Sequence, residues 1–457
     1  MIKSHVFLNP FVKKNASIAW PIALNGLLMQ SMLMVDTLIV APLGEVSLAG
    51  MGIASTLIAF ILGIQFALSN GTQLVVGRAF GATSQYALSM AFYAGLAINV
   101  ISAFVFFMGL ATFSEGLIAW LTQDQKLAEQ ALIYLSISQY MVLVTASTQV
   151  CTAFFNGTGQ SNIPLKGYLF ELPINAVISY LLVFGWQLPD IELFSLFNLN
   201  DLGFEGKGLA GAAVGSLIAV CLRCVYLLWQ MKGQFRLTVN NHLSSFIDEC
   251  KRHFVEIYPI AANYIILAVG ATVYLLLFSQ LSIYSYAAVT LIFPWIRIGA
   301  QFVNSWAHAS AICISQAIGK NQTYQIKYMI ISSVAIAMVG ALITAIAFYL
   351  LSISIHFIYP DIASETYIAL SSIAPLYIFL PIVKTYNALA GNVLRALGKS
   401  LTVLKIHFIT QWFIVLPACS MMILYFKLPL YWAFSLLVIE ELIKFIPFYK
   451  TLKLMRK

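Results

Sequence analysis

A lone acidic residue, Asp36, stands in the stretch SMLMVDTLIV (31–40), whose other residues are apolar or small. A carboxylate at the centre of a bilayer costs on the order of 2.5–3.5 kcal/mol on insertion scales, so it usually faces a polar interior. Asn25 and Met29 recur with Asp36 at helical spacing, which predicts a stripe that faces a central cleft. Because burial disfavours the charged form of a carboxylic acid, Asp36 is a candidate proton carrier. The alternative is a structural hydrogen-bond anchor, a task that Asn or Ser could also perform.

A second polar stripe lies further along the chain. Glu171 and Asn175 are one helical turn apart, and Ser179 follows after another turn, so the three side chains share one face. Glu171 lies near the predicted end of its segment, where a carboxylate can be solvated. Two interpretations of Glu171 therefore stay open: a solvated surface charge and a residue that lines the cleft.

The elements that must position these residues are membrane helices. The chain is 61% hydrophobic and only 9% charged, with a mean hydropathy of +0.88, far outside the range of soluble globular proteins. A helix needs about 20 apolar residues to cross the hydrocarbon. Windows of that length predict an all-α integral membrane protein with twelve transmembrane helices, near residues 16–42, 48–70, 88–113, 131–155, 168–186, 207–231, 255–280, 284–312, 326–356, 366–394, 401–425 and 429–449.

The formal net charge of +8 does not indicate a nucleic-acid partner, because Lys and Arg are concentrated in alternate connections. The basic side begins with Lys13 and Lys14 and ends with Lys450 and Lys453. These positions predict a multi-pass protein of the cell inner membrane with both termini in the cytoplasm. Residues 1–15 are too polar, and the first apolar run is too long, for a cleaved signal peptide.

The chain repeats short motifs at a nearly constant offset. PIALN at 21–25 returns as PIAAN at 259–263, GRAFG at 77–81 returns as SQAIG at 315–319, and GQS at 159–161 returns as GKS at 398–400. Each half has an even number of predicted helices, so the halves share one orientation and are related by a pseudo-two-fold axis along the membrane normal. We predict two six-helix lobes around a cleft.

The repeat also predicts the domain boundaries. Residues 1–231 form the predicted N-lobe, residues 232–253 a cytoplasmic linker, and residues 254–457 the C-lobe. The linker contains SSFIDECKRHF, which has the composition of a short polar helix or of a simple connector.

The two predicted lobes differ in charge. The counterpart of Asp36 in the second lobe is Tyr274, a neutral residue that we expect at the cleft, and Lys384 is a further candidate for the cleft wall. Four other charged residues lie within second-lobe spans, and we interpret them as structural groups that neutralise one another: Arg297, Glu440, Glu441 and Lys444. Ion coupling is therefore predicted in the first lobe.

The ordered motifs of the chain resemble those of the multidrug and toxic compound extrusion (MATE) transporters. The resemblance covers nearly the whole chain and is carried by Pro21 with VDT at 35–37, NGTGQSNIP at 156–164, LPINAVISYLLVFG at 172–185, GLAGAAVGS at 208–216 and VLRALGKS at 393–400. It implies a V-shaped cleft that opens alternately to either side. It also implies a secondary active multidrug exporter that exchanges amphipathic organic cations for H⁺ or Na⁺, without a cofactor and as a monomer in the lipid bilayer.

The resemblance also implies roles for individual residues. A cation-coupling site is expected at Asp36, Asn175, Ser179, Ala212 and Ser216. Pro21 matches the position where the first helix is proposed to bend.

One position departs from the family pattern. Lys384 stands where some members resemble one another in carrying Asp for a second-lobe cation site, and a fixed ammonium there would repel Na⁺. A single carboxylate favours H⁺ as the coupling ion, although Na⁺ at the Asp36 site stays possible. No firm metal site is predicted.

Two other classes of protein are alternatives. A flippase of lipid-linked saccharides shares the two-lobe plan, but its cleft should present more Arg and Lys to a pyrophosphate. A membrane-embedded enzyme is the less favoured alternative, because the sequence contains neither HExxH nor GxSxG. We predict that the protein is not an enzyme.

Overall fold

The structure is a computed structural model that describes residues 10–186, 204–234 and 243–454. Long helices make up nearly all of this part of the chain, and each predicted span overlaps one of them, so the all-α prediction is confirmed. In chain order they are α1 (Pro10–Val40), α2 (Glu45–Gly81), α3 (Gln85–Leu121), α4 (Gln125–Gly157), α5 (Asn162–Phe184), α6 (Gly208–Gln234), α7 (Leu243–Phe278), α8 (Ile283–Gly319), α9 (Thr323–Ile358), α10 (Ser364–Ala396), α11 (Ser400–Tyr425) and α12 (Leu430–Leu454).

Local signals explain where several helices begin. The side chains of Ser84, Asp124 and Ser282 accept hydrogen bonds from main-chain N–H groups in the first turns of α3, α4 and α8. Such caps satisfy donors that have no partner within the helix. A short antiparallel ribbon, β1 (Gly185–Trp186) with β2 (Phe204–Glu205), lies between α5 and α6.

Eleven of these helices are long and apolar enough to cross a membrane by length and composition. The twelfth, α12, is not among them because Glu440, Glu441 and Lys444 lie near its middle. These charges face the protein interior rather than lipid, as shown below. The predicted count of twelve helices therefore agrees with the fold, and α12 is the one whose charges need internal partners.

The packing of the helices repeats along the chain. In the N-lobe (α1–α6), α4 packs on α2, α3 and α6, and α1 packs on α5. In the C-lobe (α7–α12), α10 packs on α8, α9 and α12, and α7 packs on α11. Each contact thus has a counterpart six helices later. Between the lobes, α1 packs on α8 and α7 packs on α2, while α2 and α8 cross each other. This reciprocity is the pseudo-two-fold relation that the repeated motifs predict.

The repeat GRAFG and SQAIG has a direct structural cause at the crossing of α2 and α8. A Cβ atom at Gly81 would collide with the carbonyl oxygen of Gln316, and one at Gly319 would collide with the carbonyl oxygen of Arg78. The two glycines are related by the repeat, and so are the two residues that they approach. Glycine at both positions therefore lets the two helix ends cross in close backbone contact.

Polar contacts join the lobes at one end of the bundle, near the beginning of α1 and the ends of α2 and α8. Lys14 Nζ donates to Gln316 Oε1 at 2.5 Å, and Arg78 forms an ion pair with Glu256. Further hydrogen bonds connect Asn15 with Ser310, Thr72 with His253, and Gln316 with the carbonyl of Gly157. The cleft is closed at this end, which carries the Lys-rich start of α1.

The region predicted as a linker is only partly described, since residues 235–242 lie outside the described residues. From Leu243 onward the chain is already in α7, so residues 243–253 belong to a long helix that continues to Phe278. The predicted domain limits at 231 and 254 stay predictions. Residues 1–9 and 455–457, which the predicted lobes include, also lie outside the described part.

Helix α11 is irregular in two places. Within α11, residues Ile409–Val415 and Met421–Tyr425 form wide π-helical turns. Such turns frequently occur at functional sites because they redirect individual side chains. Gln411, in the first of them, lies on the wall of the C-lobe cavity described below.

Candidate functional site

Asp36 lies inside the N-lobe, where α1 meets α5 and α6. Its side chain is buried, with 5% of the residue exposed. Asn175 Nδ2 donates to Asp36 Oδ1 at 2.9 Å, and Ser216 Oγ donates to Asp36 Oδ2 at 3.0 Å. Each carboxyl oxygen thus has one neutral donor. The structure brings together three of the residues predicted for the coupling site, from three different helices.

The donors to Asp36 are linked to one another. Asn175 Oδ1 accepts from Ser179 Oγ at 2.7 Å and lies 3.3 Å from Ser216 Oγ. Ser216 has a single hydroxyl proton and two possible acceptors, one on Asp36 and one on Asn175. Ser179 does not bond Asp36 directly but holds the Asn175 amide. The four side chains therefore form one closed hydrogen-bond network.

Ala212 contributes packing to this region. It is fully buried in the N-lobe core, one helical turn before Ser216 on α6. Its small side chain belongs to the apolar cluster that also contains Val40, near the end of α1. Ala212 thus supports the junction of α1 and α6 at which Asp36 lies.

No cation balances Asp36 among the residues that the structure describes, because none of the ion pairs found there includes it. A buried carboxylate without a paired charge is costly in a low-dielectric setting. A carboxyl group in such a setting is stabilised by protonation or by a bound cation. Within the same described ranges, no group of three or more His, Cys, Asp or Glu residues is placed to hold a metal ion.

Glu171 has a different environment from Asp36, although it lies only one turn from Asn175. Its Oε2 atom is 2.7 Å from Arg223 Nη1, and both side chains are at most 5% exposed. Arg223 also lies over the ring of Tyr168, 4.2 Å from its centroid, and donates to Thr148 Oγ1 at 3.3 Å. The interpretation of Glu171 as a solvated surface charge is therefore wrong.

Arg223 is a residue that the sequence argument missed. It is a lone arginine within the predicted span 207–231, and a cation at such a depth needs a partner. That signal was sufficient to place Arg223 among the intramembrane charges. It could not identify Glu171 as the partner, because the pairing depends on how α5 packs on α6.

Asn25 and Met29 line a cavity of about 220 Å³ between the lobes. Asp36, which was predicted on the same stripe, is not among the lining residues, because its carboxyl group faces α5 and α6 instead. The lining is uncharged and rich in amides, among them Gln30, Asn70 and Gln301. Pro21 is buried within α1, one turn before Asn25. The cavity of about 220 Å³ thus begins at the helical turn of α1 that follows Pro21.

A larger cavity of about 600 Å³ lies mainly in the C-lobe. Tyr274 and Lys384 line it, as predicted for the cleft wall. Its charged lining residues are Arg297, Lys384, Arg395, Glu440, Glu441 and Lys444. It shares Phe66, Asn70, Asn304 and His308 with the smaller cavity, so the two are contiguous.

The carboxylates of the larger cavity are paired. Lys444 forms ion pairs with Glu440 and, at 3.4 Å, with Glu441. Tyr274 donates its hydroxyl to Glu440 Oε2 at 2.8 Å, and Asn387 Nδ2 donates to Glu441 Oε2 at 2.8 Å. The three charges of α12 thus pair with one another as predicted, although one lysine balances the charge of only one of the two acids.

Arg297 does not take part in that neutralisation. It is exposed on the cavity wall and makes no ion pair with any described residue. Arg297 lies on α8, whereas Glu440, Glu441 and Lys444 lie close together on α12. The three charges of α12 therefore pair with one another and not with Arg297. The expectation of a structural role for Arg297 is therefore corrected.

Fold and site together define a class: a two-lobed, helical membrane protein with a buried acid in one lobe that forms no ion pair with any described residue. Residues 21–181 match the family model MatE. A MATE protein crystallised in the bent conformation superposes with a TM-score of 0.85 at 13% identity, covering 99% of this chain and 97% of that one. Over residues 21–181 the chain is thus similar to the MatE family, and along nearly its whole length it shares the fold of a solved MATE protein.

Two relatives have names that describe their function. The multidrug resistance protein NorM of Burkholderia vietnamiensis is 24% identical over 222 residues, which are 48% of this chain and 45% of the relative. A probable multidrug resistance protein NorM of Rhizobium meliloti (strain 1021) is 27% identical over 205 residues, 44% of this chain and 39% of the relative. The aligned part thus spans less than half of either relative. Neither is named as an enzyme, in agreement with the prediction.

Proposed function

We propose that the protein is a secondary active multidrug exporter in which Asp36 binds the coupling cation. The observation that carries this proposal is the carboxyl group of Asp36, which is buried and which, among the described residues, accepts hydrogen bonds from the neutral donors Asn175 and Ser216 and forms no ion pair. Neutralisation of Asp36 changes the interactions of α1 with α5 and α6. Only binding that differs between the two facing states can drive an exchange of this kind.

Ser216 provides a route from protonation to rearrangement. With Asp36 ionised, the Ser216 hydroxyl donates to the carboxylate. A protonated Asp36 is itself a donor, so it donates to Ser216 Oγ, and Ser216 turns its proton toward Asn175 Oδ1, which is 3.3 Å away. The Asn175 amide then loses its charged acceptor. Proton uptake would thus loosen the connection between α1 and α5.

Pro21 is the point at which α1 can respond. Proline lacks the N–H that would bond four residues back and its ring crowds that carbonyl, so the helical ladder is weak at this position. Asp36 lies further along the same helix than Pro21, after Asn25 and Met29. A change in the bonds of Asp36 would therefore act on a helix that already has a site for bending.

Na⁺ at the same site is a second form of the coupling proposal. Asp36, Asn175, Ser179 and Ser216 carry oxygen atoms, which are the ligands that hard cations prefer. In the described network the hydroxyl protons point at Asn175 and Asp36, so Na⁺ binding would require Ser179 and Ser216 to turn. Protonation needs a smaller rearrangement, and we therefore propose H⁺ as the coupling ion.

The oligomeric state, membrane and orientation of the protein are proposed from its sequence. We propose a monomer in the cell inner membrane with both termini in the cytoplasm, so that the closed end of the cleft faces the cytoplasm. The resemblance favours an amphipathic organic cation as substrate. The uncharged cavity beside Asn25 and Met29 offers an apolar and amide-lined surface for such a molecule.

A flippase of lipid-linked saccharides is the second candidate. It is favoured by the arginines and lysines of the C-lobe cavity, which are the groups that bind phosphates. The buried acid of the N-lobe, Asp36, favours ion coupling instead. Reconstituted vesicles that translocate a labelled lipid-linked oligosaccharide, and fail to move dyes, would make the flippase the better interpretation.

Dye export tests the exporter proposal and is measured as dye uptake into everted membrane vesicles, whose outer surface is the cytoplasmic face. A pH or Na⁺ gradient is imposed, and the unmodified protein is compared with Asp36→Asn and with Glu115→Gln, which removes an exposed carboxylate from the same lobe. We expect pH-driven efflux to fall by at least about tenfold in Asp36→Asn, because its side chain can no longer exchange a proton. Glu115→Gln should retain it. Efflux in Asp36→Asn at the unmodified rate would remove Asp36 from the coupling role.

A further inference from the structure

The C-lobe cavity contains more positive than negative fixed charge. Its lining includes Arg297, Lys384, Arg395 and Lys444, against Glu440 and Glu441. Lys444 forms ion pairs with both carboxylates and balances the charge of one of them, and Tyr274 and Asn387 donate hydrogen bonds to them. The remaining three cations make no ion pair within the described part of the chain. The cavity therefore carries a surplus of positive charge.

Two of these cations, Lys384 and Arg395, lie on the cavity wall together with His308 and His407. Both act electrostatically on His407, and Arg395 also acts on His308. His407 is held in place by a 2.7 Å hydrogen bond between its Nδ1 atom and Asn263 Oδ1. Positive groups gathered in this way repel one another unless an anion lies between them.

Arg395 provides an independent observation. Its Nε atom is buried and has no hydrogen-bond partner in the described structure. A buried guanidinium donor without a partner is costly, and an acidic oxygen is the acceptor that best satisfies it. The side chain thus has an unfilled hydrogen-bond position in a cavity where other cations are also unpaired.

We propose that the C-lobe cavity binds the acidic group of an amphipathic ligand, a carboxylate, sulfonate or phosphate, through Arg395, Lys384 and Arg297. The apolar part of the ligand would lie against Phe66, Tyr264 and Phe293, which line the same cavity. That such a ligand is also exported rests on the proposed function. The binding itself does not depend on Asp36, which is not among the residues lining the cavity.

Because the two cavities are contiguous, the shape and charge of a ligand decide which of them it can occupy. His308 and Asn304 line both, so one elongated molecule can occupy the uncharged space near Asn25 and the cationic space near Arg395. A zwitterion with its acidic end in the C-lobe therefore fits both cavities. A simple organic cation fits only the uncharged one.

Matched probes of opposite charge test the site. Binding of 1-naphthalenesulfonate and of trimethyl(1-naphthyl)ammonium is measured by calorimetry on the full chain in nanodiscs of phosphatidylcholine. The aromatic body is the same, so the difference reports the charge preference. We expect the sulfonate to bind at least about tenfold more tightly, the ratio that one charge-assisted hydrogen bond supports.

Three variants locate that binding. Arg395→Gln, Lys384→Gln and Arg297→Gln leave no described carboxylate unpaired, so the fold should tolerate them. Combining the first two should weaken sulfonate binding at least about tenfold. Lys405→Gln removes an exposed cation of α11 that is not among the lining residues, and it should have no effect. Equal affinity for the two probes, tighter binding of the ammonium, or unchanged sulfonate binding in the double variant would overturn the proposal.

Two further arms complete the experiment. Replacing part of the phosphatidylcholine by phosphatidylglycerol shows the source of the anion: competition with the sulfonate supports a lipid headgroup, and its absence supports a free amphipathic anion, both in the proposed site. Asp36→Asn should bind the sulfonate normally while losing coupled efflux. Loss of efflux coupling and loss of anion binding are therefore separate results, and either proposal can fail alone.

Discussion

The two lobes present buried acids in opposite electrostatic settings. In the described part of the N-lobe, the donors to Asp36 are the neutral side chains of Asn175 and Ser216. In the C-lobe, Glu440 receives the hydroxyl of Tyr274 and an ion pair from Lys444. The repeat relates α1 to α7, yet the second lobe takes its acid from α12.

The same arrangement of helices therefore surrounds two acids with different electrostatic environments. A carboxylate with a fixed cation stays ionised and connects its neighbours, whereas one with neutral donors can gain or lose a proton without leaving another charge unpaired. The N-lobe also has a paired acid, Glu171 with Arg223. Asp36 is thus the buried acid of the described residues that lacks a cation, and the comparison can be tested at each group.

The largest effect is expected for Lys444→Met. The substitution leaves the buried Glu440 and the partly buried Glu441 without their cation, and removal of one partner from a buried pair typically costs about 3–5 kcal/mol. Thermal unfolding in detergent should show this as a large fall in the melting temperature. Lys405→Met, at an exposed position on α11, serves as the control.

The triple variant Lys444→Met with Glu440→Gln and Glu441→Gln sharpens this test. Without the two acids the missing cation has no charge to compensate, so most of the lost stability should return. A triple variant as unstable as Lys444→Met alone would show that Lys444 acts through packing rather than through charge.

An intermediate effect is expected for Ser216→Ala. Its hydroxyl bonds the ionised form of Asp36, so its loss makes proton uptake easier and proton release harder. The pH midpoint of dye efflux should move upward by about one pH unit, the equivalent of one charge-assisted hydrogen bond. Ser31→Ala is the matched control, because that hydroxyl bonds the carbonyl of Leu27 within α1. An unchanged midpoint would exclude Ser216 from the proton site.

The smallest effect is expected for Tyr274→Phe, at the counterpart position of Asp36. Glu440 loses one donor but keeps Lys444, so the free energy of unfolding should fall by only about 1 kcal/mol. The pH profile of efflux should not move. If Tyr274→Phe shifted that profile as far as Ser216→Ala does, the assignment of coupling to one lobe would be incorrect.

Much of the architecture could be predicted because it depends on short-range properties of the chain. Apolar runs of sufficient length specify helices in a bilayer, where each backbone polar group must be satisfied within its own helix. The repeated motifs PIALN and GRAFG indicated the two related lobes. Asp36 could be recognised as a candidate site because a single acid in an apolar run is costly wherever the helix lies.

The partners of these groups could not be read from the sequence alone. Glu171 and Arg223 are 52 residues apart, from the difference of their numbers, and Tyr274 and Glu440 are 166 apart. Nothing local distinguishes them from other charged or hydroxyl-bearing residues of the helices. The same holds for Arg297 and Arg395, whose lack of an ion pair is a property of their surroundings.

The sequence by itself thus determined the membrane class, the twelve helices, the duplication and the depth at which Asp36 lies, since each depends on composition and periodicity within one segment. Only the tertiary structure decided which acids are paired and which cations line a cavity. The physical reason is that electrostatic compensation acts through space. Helices distant in the chain, such as α5 with α6 or α7 with α12, must pack before a charge acquires or lacks its partner.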